Sequence, residues 1–403
     1  MICIESVIKK QLCSGCGLCA SMFPDNIEMN KDGFFNRPKI KKNLNKKDMN
    51  VFSHICPGIN QSAPGKAKYI NQHVIWGNYK NSYTGYSNDE KIRYKASSGG
   101  ILSQTAIHLL EKHMVDGVIH IKADPSNPIM NLASVSFTPN EVLSGAGSRY
   151  SPASPLENCL QVLNMYPNKK FCFIGKPCDV TALRNLMKIQ KDISKRVPYL
   201  LSFFCAGTPS RDGVVHLLKK LKVEPKDIIK FDFRGNGWPG KTTVETLKDK
   251  KEMSYSESWG DILGPTIQHR CKICADGIGE NADLVSADVW HSDENGYPLF
   301  EESDGEGLVL PRTNNGNLLV ESMKEQQAVC LKPYSLDSLK SVQPTQYDRK
   351  GTFLVRALAK LATQYTIPRF SGQRGFSAAL EIGLYKNFKS FLGSLLRSKQ
   401  GKL

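Results

Sequence analysis

The sequence predicts an α/β fold, α+β overall: a cysteine-bearing N-terminal module, a core with parallel strands, and a basic, partly helical C-terminal tail. Three observations carry that prediction. Closely spaced cysteines open the chain, strand–loop–helix units alternate through its middle, and Lys and Arg crowd its end. We expect the module at residues 1–65, the core in two parts at 66–165 and 166–330, and the tail at 331–403. A hydrophobic content of 40% and a charged content of 23% suit a globular chain with a sizeable core. No run of about 18 apolar residues exists for a transmembrane helix. The start, MICIESVIKKQLC, lacks a signal peptide's apolar stretch and small-residue cleavage site, so a cytoplasmic location is expected. In that compartment twelve cysteines point to metal or redox chemistry rather than disulfides.

The module reads CSGCGLCASMFP from Cys13 to Pro24. The commonest iron–sulfur ligand run is C-x2-C-x2-C-x3-C-P, and here Phe23 stands where its fourth cysteine belongs. In two-cluster ferredoxins the cysteine of each C-P pair ligates the cluster of the other motif. Cys56-Pro57 therefore supplies the fourth ligand for Cys13, Cys16 and Cys19. Ferredoxin spacing back from Cys56 falls on Phe52, Met49 and Lys46, none of which holds iron. One ligand set is lost and one is complete: a half-ferredoxin with a single 4Fe-4S cluster. Zinc or four free thiols is the plainer alternative. Cysteines at i, i+3 and i+6 suit a cubane, whose irons each take one thiolate, better than one tetrahedral ion. Gly15 and Gly17 let the loop wrap with its amides toward the sulfurs.

A Pro/Gly/Ser-containing linker near residues 57–68 leads to the core. Ser97, Ser98, Gly99 and Gly100 precede ILSQTAIHLLEKHM, a helix with an apolar stripe at Ile101, Leu102, Ala106, Leu109 and Leu110. Such a start caps a helix or admits phosphate to its positive end. The strand VDGVIHIKA follows, and then a second Gly/Ser loop, GAGSRYS, holding Ser148, Arg149 and Tyr150. Next come KKFCFIG, the turn GKPCD with Gly175 and Lys176, and the helix VTALRNLMKI. VPYLLSFFC, AGTPSRDG and VVHLLKKLK repeat the pattern before the strand DIIKFDFRG. Such alternation predicts a parallel sheet with crossover helices. It sets Cys178 and Cys205 near the carboxyl ends of neighbouring strands, where open α/β sheets bind ligands. HRCKICADG adds Cys271 and Cys274 at C-x2-C spacing. These four thiols suit a second cluster, a structural zinc or a redox-active dithiol. Cys172, inside an apolar strand, is expected to pack as a small hydrophobe. Asp276, Asp283 and Asp288 follow the C-x2-C loop, with solvated or capping roles favoured over substrate contact. The histidines are scattered, and no acid–base residue is assigned.

The net charge of +16 is uneven. From Arg349 onward eleven Lys or Arg face one acid, Glu381, so the tail carries +10. No zinc-finger His pair, RNP-like aromatic motif or basic-leucine heptad accompanies the charge, so no nucleic-acid partner is expected. GFSAALEIGLYKNFKSFLGSLLRSK places Leu380, Leu384, Phe388, Phe391, Leu392 and Leu395 at helical spacing, with Lys386, Lys389, Arg397 and Lys399 beside them. That pattern fits peripheral contact with an anionic membrane or acidic partner, or packing of the stripe on the protein's own core or a partner subunit.

CSGCGLC, ASSGG, GSRY, GKPCD, FCAGTPS, FRG and CKICADGIGENADLVSADVW occur in the order found in the coenzyme F420 hydrogenase/dehydrogenase beta-subunit family of iron–sulfur flavoproteins, which residues 10–320 resemble. The resemblance implies a flavin enzyme that passes electrons between 4Fe-4S clusters and a hydride-handling FAD. It implies flavin contacts from Ser97 to Gly100, at Ser148, Arg149 and Tyr150, and at Gly175 and Lys176. It also makes Cys178, Cys205, Cys271 and Cys274 ligands of a second cluster. A redox partner protein or reduced coenzyme and a small-molecule substrate follow, with a polysaccharide-related pathway as one setting. The competing reading is a non-catalytic electron-transfer subunit of a larger complex. Many members keep a full ferredoxin pair where this chain keeps half, and the last 70 or so residues carry no resemblance.

Overall fold

A computed structural model describes residues 2–65, 70–289, 299, 302–364 and 366–400. Trp290, the end of the last motif above, lies outside them. The centre is an eight-stranded mixed sheet: β1 (Tyr83–Ser87), β2 (Gly117–Asp124), β3 (Asn127–Ser136), β4 (Phe171–Ile174), β5 (Tyr199–Phe203), β6 (Leu284–Asp288), β7 (Gly307–Pro311) and β8 (Val329–Pro333). The spatial order is β8-β1-β7-β6-β5-β4-β2-β3. The middle four run parallel, with Ile119 beside Phe173, Ile174 beside Leu201 and Leu201 beside Leu284. Antiparallel strands complete both sides. Residues 66–165 and 166–330 thus contribute strands to one sheet, and β8 reaches into the segment read as tail.

The middle strands are nearly continuous apolar runs because both faces are covered. Alternate side chains enter different cores. Phe171 and Phe173 point to one face, covered by Val180, Leu183 and Leu186. Cys172, fully buried, points to the other with Leu201 and Leu284, and packs there as a small hydrophobe. The module contributes α1 (Leu18–Met22), a hairpin at 27–40 and α2 (Lys46–Ile55). Helices α3 (Ile101–Glu111), α4 (Pro177–Ile189), α5 (Arg211–Leu221) and α6 (Asn314–Glu325) follow. Helix α4 supplies the first-face residues, whereas α3 and α6 cover the second face. Pro177 opens α4, and Asp179 accepts from the Lys176 amide at 3.0 Å.

One expected strand leaves the parallel sheet. Residues 228–232 pair antiparallel with 242–246, which pair with 250–253, in a separate three-stranded sheet between β5 and β6. Its sequence explains the difference: Ile229 and Lys230 face outward while Ile228 and Phe231 are buried. A strand covered on both faces would bury them all. The tail forms α7 (Pro344–Gln364), α8 (Gly375–Ile382) and α9 (Leu384–Lys399). Gly383, at φ +87°, separates the last two.

Candidate functional site

Cys13, Cys16, Cys19 and Cys56 line one small apolar pocket with Ile4, Val7, Phe52 and Ile55. Phe23 and Phe52, standing where other ferredoxin ligands would be, fill the module's core. Burial, with the Asp179 carboxylate and the Cys13 sulfur adding to it, pushes the Cys16 thiol up to about 12. Burial and neighbouring sulfurs likewise raise Cys19 and Cys56. The four are within electrostatic reach of one another, and Cys16, Cys19 and Cys56 stay neutral thiols unless a cation replaces the proton.

Cys178 begins α4 just after β4, and Cys205 follows β5, at the carboxyl ends of paired strands as the alternation implied. Cys271 lies on a short helix, His269–Lys272, and Cys274 just beyond it. Burial raises the Cys178 thiol, the Asp179 carboxylate adds to this, and Cys205 and Cys271 act in the same direction. Burial and Cys271 push Cys205 to about 12. The two sets adjoin. Ile273, between Cys271 and Cys274, lies in the module's core, and Gln61 Nε2 donates to Cys274 Sγ at 3.1 Å. The Asp179 carboxylate acts on both Cys16 and Cys178.

Cations surround this junction. Lys176 Nζ pairs with Asp179 at 2.8 Å. Burial opposes its charge, but Asp179, Cys178 and Cys205 outweigh burial and hold it above the ordinary lysine range. Arg270 is 2% exposed and donates to Pro57 O, while its Nε and Nη1 have no hydrogen-bond partner. Helix α7 presents Arg349 to the carbonyls of Ala206 and Cys271, Arg356 to Lys272 O, and Lys350 to Ala275 O and Glu280. Much of the tail's charge is therefore turned inward, over the second cysteine loop. Among the described residues, no three His, Cys, Asp or Glu converge as one metal ion requires. A cubane's thiolates bind separate irons and need no such convergence.

A cavity of about 280 Å³ lies at the carboxyl ends of β4, β5 and β6, near the low end of the volumes usual for small-molecule sites. Its wall brings together Ser97, Ser98, Ser148, Arg149, Tyr150, Gly175 and Lys176, with Asp179 and Cys205. Three buried hydroxyls on that wall, Ser151 Oγ, Thr208 Oγ1 and Ser286 Oγ, have no hydrogen-bond partner. Ser97 and Ser148 join the two Gly/Ser loops at 2.9 Å between hydroxyls. Arg149 is committed within the protein, donating to Asn131 and to the carbonyls of Pro128, Met130 and Phe231.

Gly99 and Gly100 stand behind the wall rather than on it. Gly100, at φ +77°, starts α3, and a Cβ there would meet Ile92 O at 3.0 Å. Gly100→Val should therefore lower the melting temperature whether or not a ligand is present, and a fall in ligand retention would not separate the two causes. The turn is held by Asp288, which accepts from Ser98 Oγ at 2.8 Å and Trp238 Nε1 at 2.9 Å, and pairs with both Arg234 terminal nitrogens at 2.8 and 2.7 Å. Burial opposes the Asp288 charge, but Arg234 and these donors hold its carboxyl below the usual range. Asp276 and Asp283 are buried too, accepting from backbone amides of Ile278 and Glu280 and of Leu200. All three aspartates anchor loops; Asp276 and Asp283 are shut off from solvent, and Asp288 also lines the cavity.

Sequence reasoning passed over Tyr255, Trp259 and His120. Tyr255 and Trp259 stand on the cavity wall around a π-helix, Ser256–Leu263, and Trp259 lies 4.7 Å from the Tyr150 ring. The SESW stretch is too short to signal this. His120 on β2 bonds Ser136 Oγ at 2.8 Å, and burial pushes its pKa down to about 4, so it is neutral at pH 7. Its alternation on VIHIKA was the available clue.

Residues 82–161 match the family model of the N-terminal part of the coenzyme F420 hydrogenase/dehydrogenase beta subunit, and residues 168–337 match that of its C terminus. The chain is similar to the coenzyme F420 hydrogenase subunit beta of Methanococcus voltae: 27% identical over 272 residues, 66% of this chain and 88% of that one. It is similar to 7-hydroxymethyl chlorophyll a reductase of Oryza sativa subsp. japonica, at 28% identity over 56% of this chain and 47% of that one. A third relative is the coenzyme F420-dependent sulfite reductase of Methanocaldococcus jannaschii, at 23% identity over 81% and 48%. The chain thus spans about half the length of the last two. A chain of the F420-reducing NiFe hydrogenase complex from Methanosarcina barkeri shares the fold, with a TM-score of 0.57 at 19% identity, covering 75% of this chain and 98% of that one. With the two family models matching most of its length, the chain belongs to the coenzyme F420 hydrogenase/dehydrogenase beta-subunit family.

Proposed function

We infer that the chain is an iron–sulfur flavoprotein oxidoreductase, with FAD in the cavity and a 4Fe-4S cluster on each cysteine set. The observation that carries this reading is the shared wall: Lys176 and Cys205 line the cavity and also belong to the surroundings of the second set. The relatives' names fit the broader class, since they include hydrogenase, formate dehydrogenase and sulfite reductase. A bound flavin accepts a hydride yet gives up electrons singly, and each cluster carries one.

The residues fit these groups. Three unpartnered hydroxyls on the wall gain bonds from a polar ligand, and the half-unpartnered guanidinium of Arg270 suits an anionic cluster beside it. Lys176, held charged by Asp179, lines the cavity and acts on Cys178 and Cys205, and its charge would stabilise electrons added to groups bound there. The other party would be a redox protein or a reduced coenzyme such as F420. The link to a polysaccharide-related substrate rests on the resemblance alone. A carrier subunit without its own substrate is the second reading, favoured by the relatives that are named as subunits.

Anaerobically purified protein should show flavin bands over a broad iron–sulfur shoulder. A shoulder alone makes the chain a carrier, and a colourless protein sinks both readings. Thr208→Val gives a finer check. Removing an unpartnered hydroxyl should leave the flavin-free melting temperature unchanged or higher, while flavin affinity falls about three- to ten-fold. Unchanged affinity would take Thr208 out of the flavin site.

A further inference from the structure

Helix α9 is built with its polarity reversed. Asn387, Ser394 and Ser398 are buried against the rest of the tail, with Thr363 Oγ1 of α7 at 2.5 Å from Ser398 Oγ. Leu384, Phe388, Leu392 and Leu396 are exposed, and Leu380 extends their line onto α8. Leu384 is 83% exposed and Phe388 64%. The stripe is therefore not packed on the protein's own core, one of the alternatives its sequence offered. Phe391 and Leu395, expected in the same stripe, are half-buried instead.

We propose that this face docks on an anionic lipid surface. The observation beside exposure is charge: α9 has no Asp or Glu, and besides Lys386, which pairs with Asp348 of α7 at 2.8 Å, it carries Lys389, Arg397 and Lys399. An exposed line of Leu and Phe flanked by cations is the composition of a helix lying in a bilayer interface. Protein–protein interfaces are depleted in Lys, which disfavours a protein groove as the occupant. No described helix is long and apolar enough to cross a membrane, so the contact is peripheral. The surface lies beyond residue 337, where the family match ends, and goes beyond the redox reading above.

The test is co-sedimentation of the full chain with vesicles. Truncation before α8 would uncover α7, where Gly351 packs closely on Ile382, so surface substitutions are the better variants. Wild type should sediment with vesicles containing phosphatidylglycerol at low salt, and not with pure phosphatidylcholine. The triple variant Leu384→Gln, Phe388→Gln, Leu392→Gln should lose at least tenfold in partitioning with an unchanged melting temperature. Lys389→Gln with Lys399→Gln should lose about five-fold for each cation removed. Equal binding by the triple variant would overturn the proposal, as would no binding by wild type. So would a wild-type dimer that the triple variant makes monomeric without any vesicle binding, which would assign the face to a second copy of the chain.

Discussion

Replacing Cys56 with Ala should lower iron content as far as replacing Cys16 does, by about four irons per chain, although Cys56 lies 37 residues beyond Cys19. The paired loss of ligands at Phe23, Phe52, Met49 and Lys46 leaves one set, and the structure lines one pocket with all four of its members. Cys172→Ala is the control, since that thiol lies on the opposite face of the sheet and should leave iron unchanged. Full iron and an unaltered reduced-cluster resonance in Cys56→Ala would end the half-ferredoxin reading.

Asp288→Asn should cost about 3–5 kcal/mol of stability, because it takes the carboxylate away from the buried guanidinium of Arg234. The same change loosens the Ser98 turn and should reduce flavin retention. The pH dependence has a definite sign. A carboxyl held below its usual range contributes fully above about pH 4 and loses that contribution as pH falls through the depressed value. Wild type and Asp288→Asn should therefore differ most at neutral pH and converge in acid. Urea unfolding at several pH values measures this, and a difference that stays constant into acid would contradict the account.

What the sequence disclosed depended on how local the cause was. C-x2-C spacing and a lone Cys-Pro are set within a few residues, so the members of both cysteine sets stand out along the chain. Cys178 and Cys205 were placed because parallel strands buried on both faces leave continuous apolar runs. β1 and β8 are only partly buried and show no such run. By contrast β7, GLVLP, is as apolar and buried as the middle strands, and its antiparallel pairing with the distant β1 has no local signature. The strand at 228–232 looked like its predecessors, and only the outward Ile229 and Lys230 betray a hairpin. The contacts among Asp288, Arg234, Ser98 and Trp238 join three distant motifs, which no spacing rule foretells. Charge was the most misleading signal. A count of cations gives no direction, and Lys350, Arg356 and Lys360 of α7 are buried, while α9 turns its apolar side outward.

The central claim is that both cysteine sets hold iron–sulfur clusters next to a flavin cavity. Iron, acid-labile sulfide, zinc and flavin measured together on anaerobically purified protein test it most directly. The account predicts about eight irons, about eight sulfides and about one flavin per chain, with negligible zinc. About two zinc ions per chain with no sulfide and no flavin would contradict it.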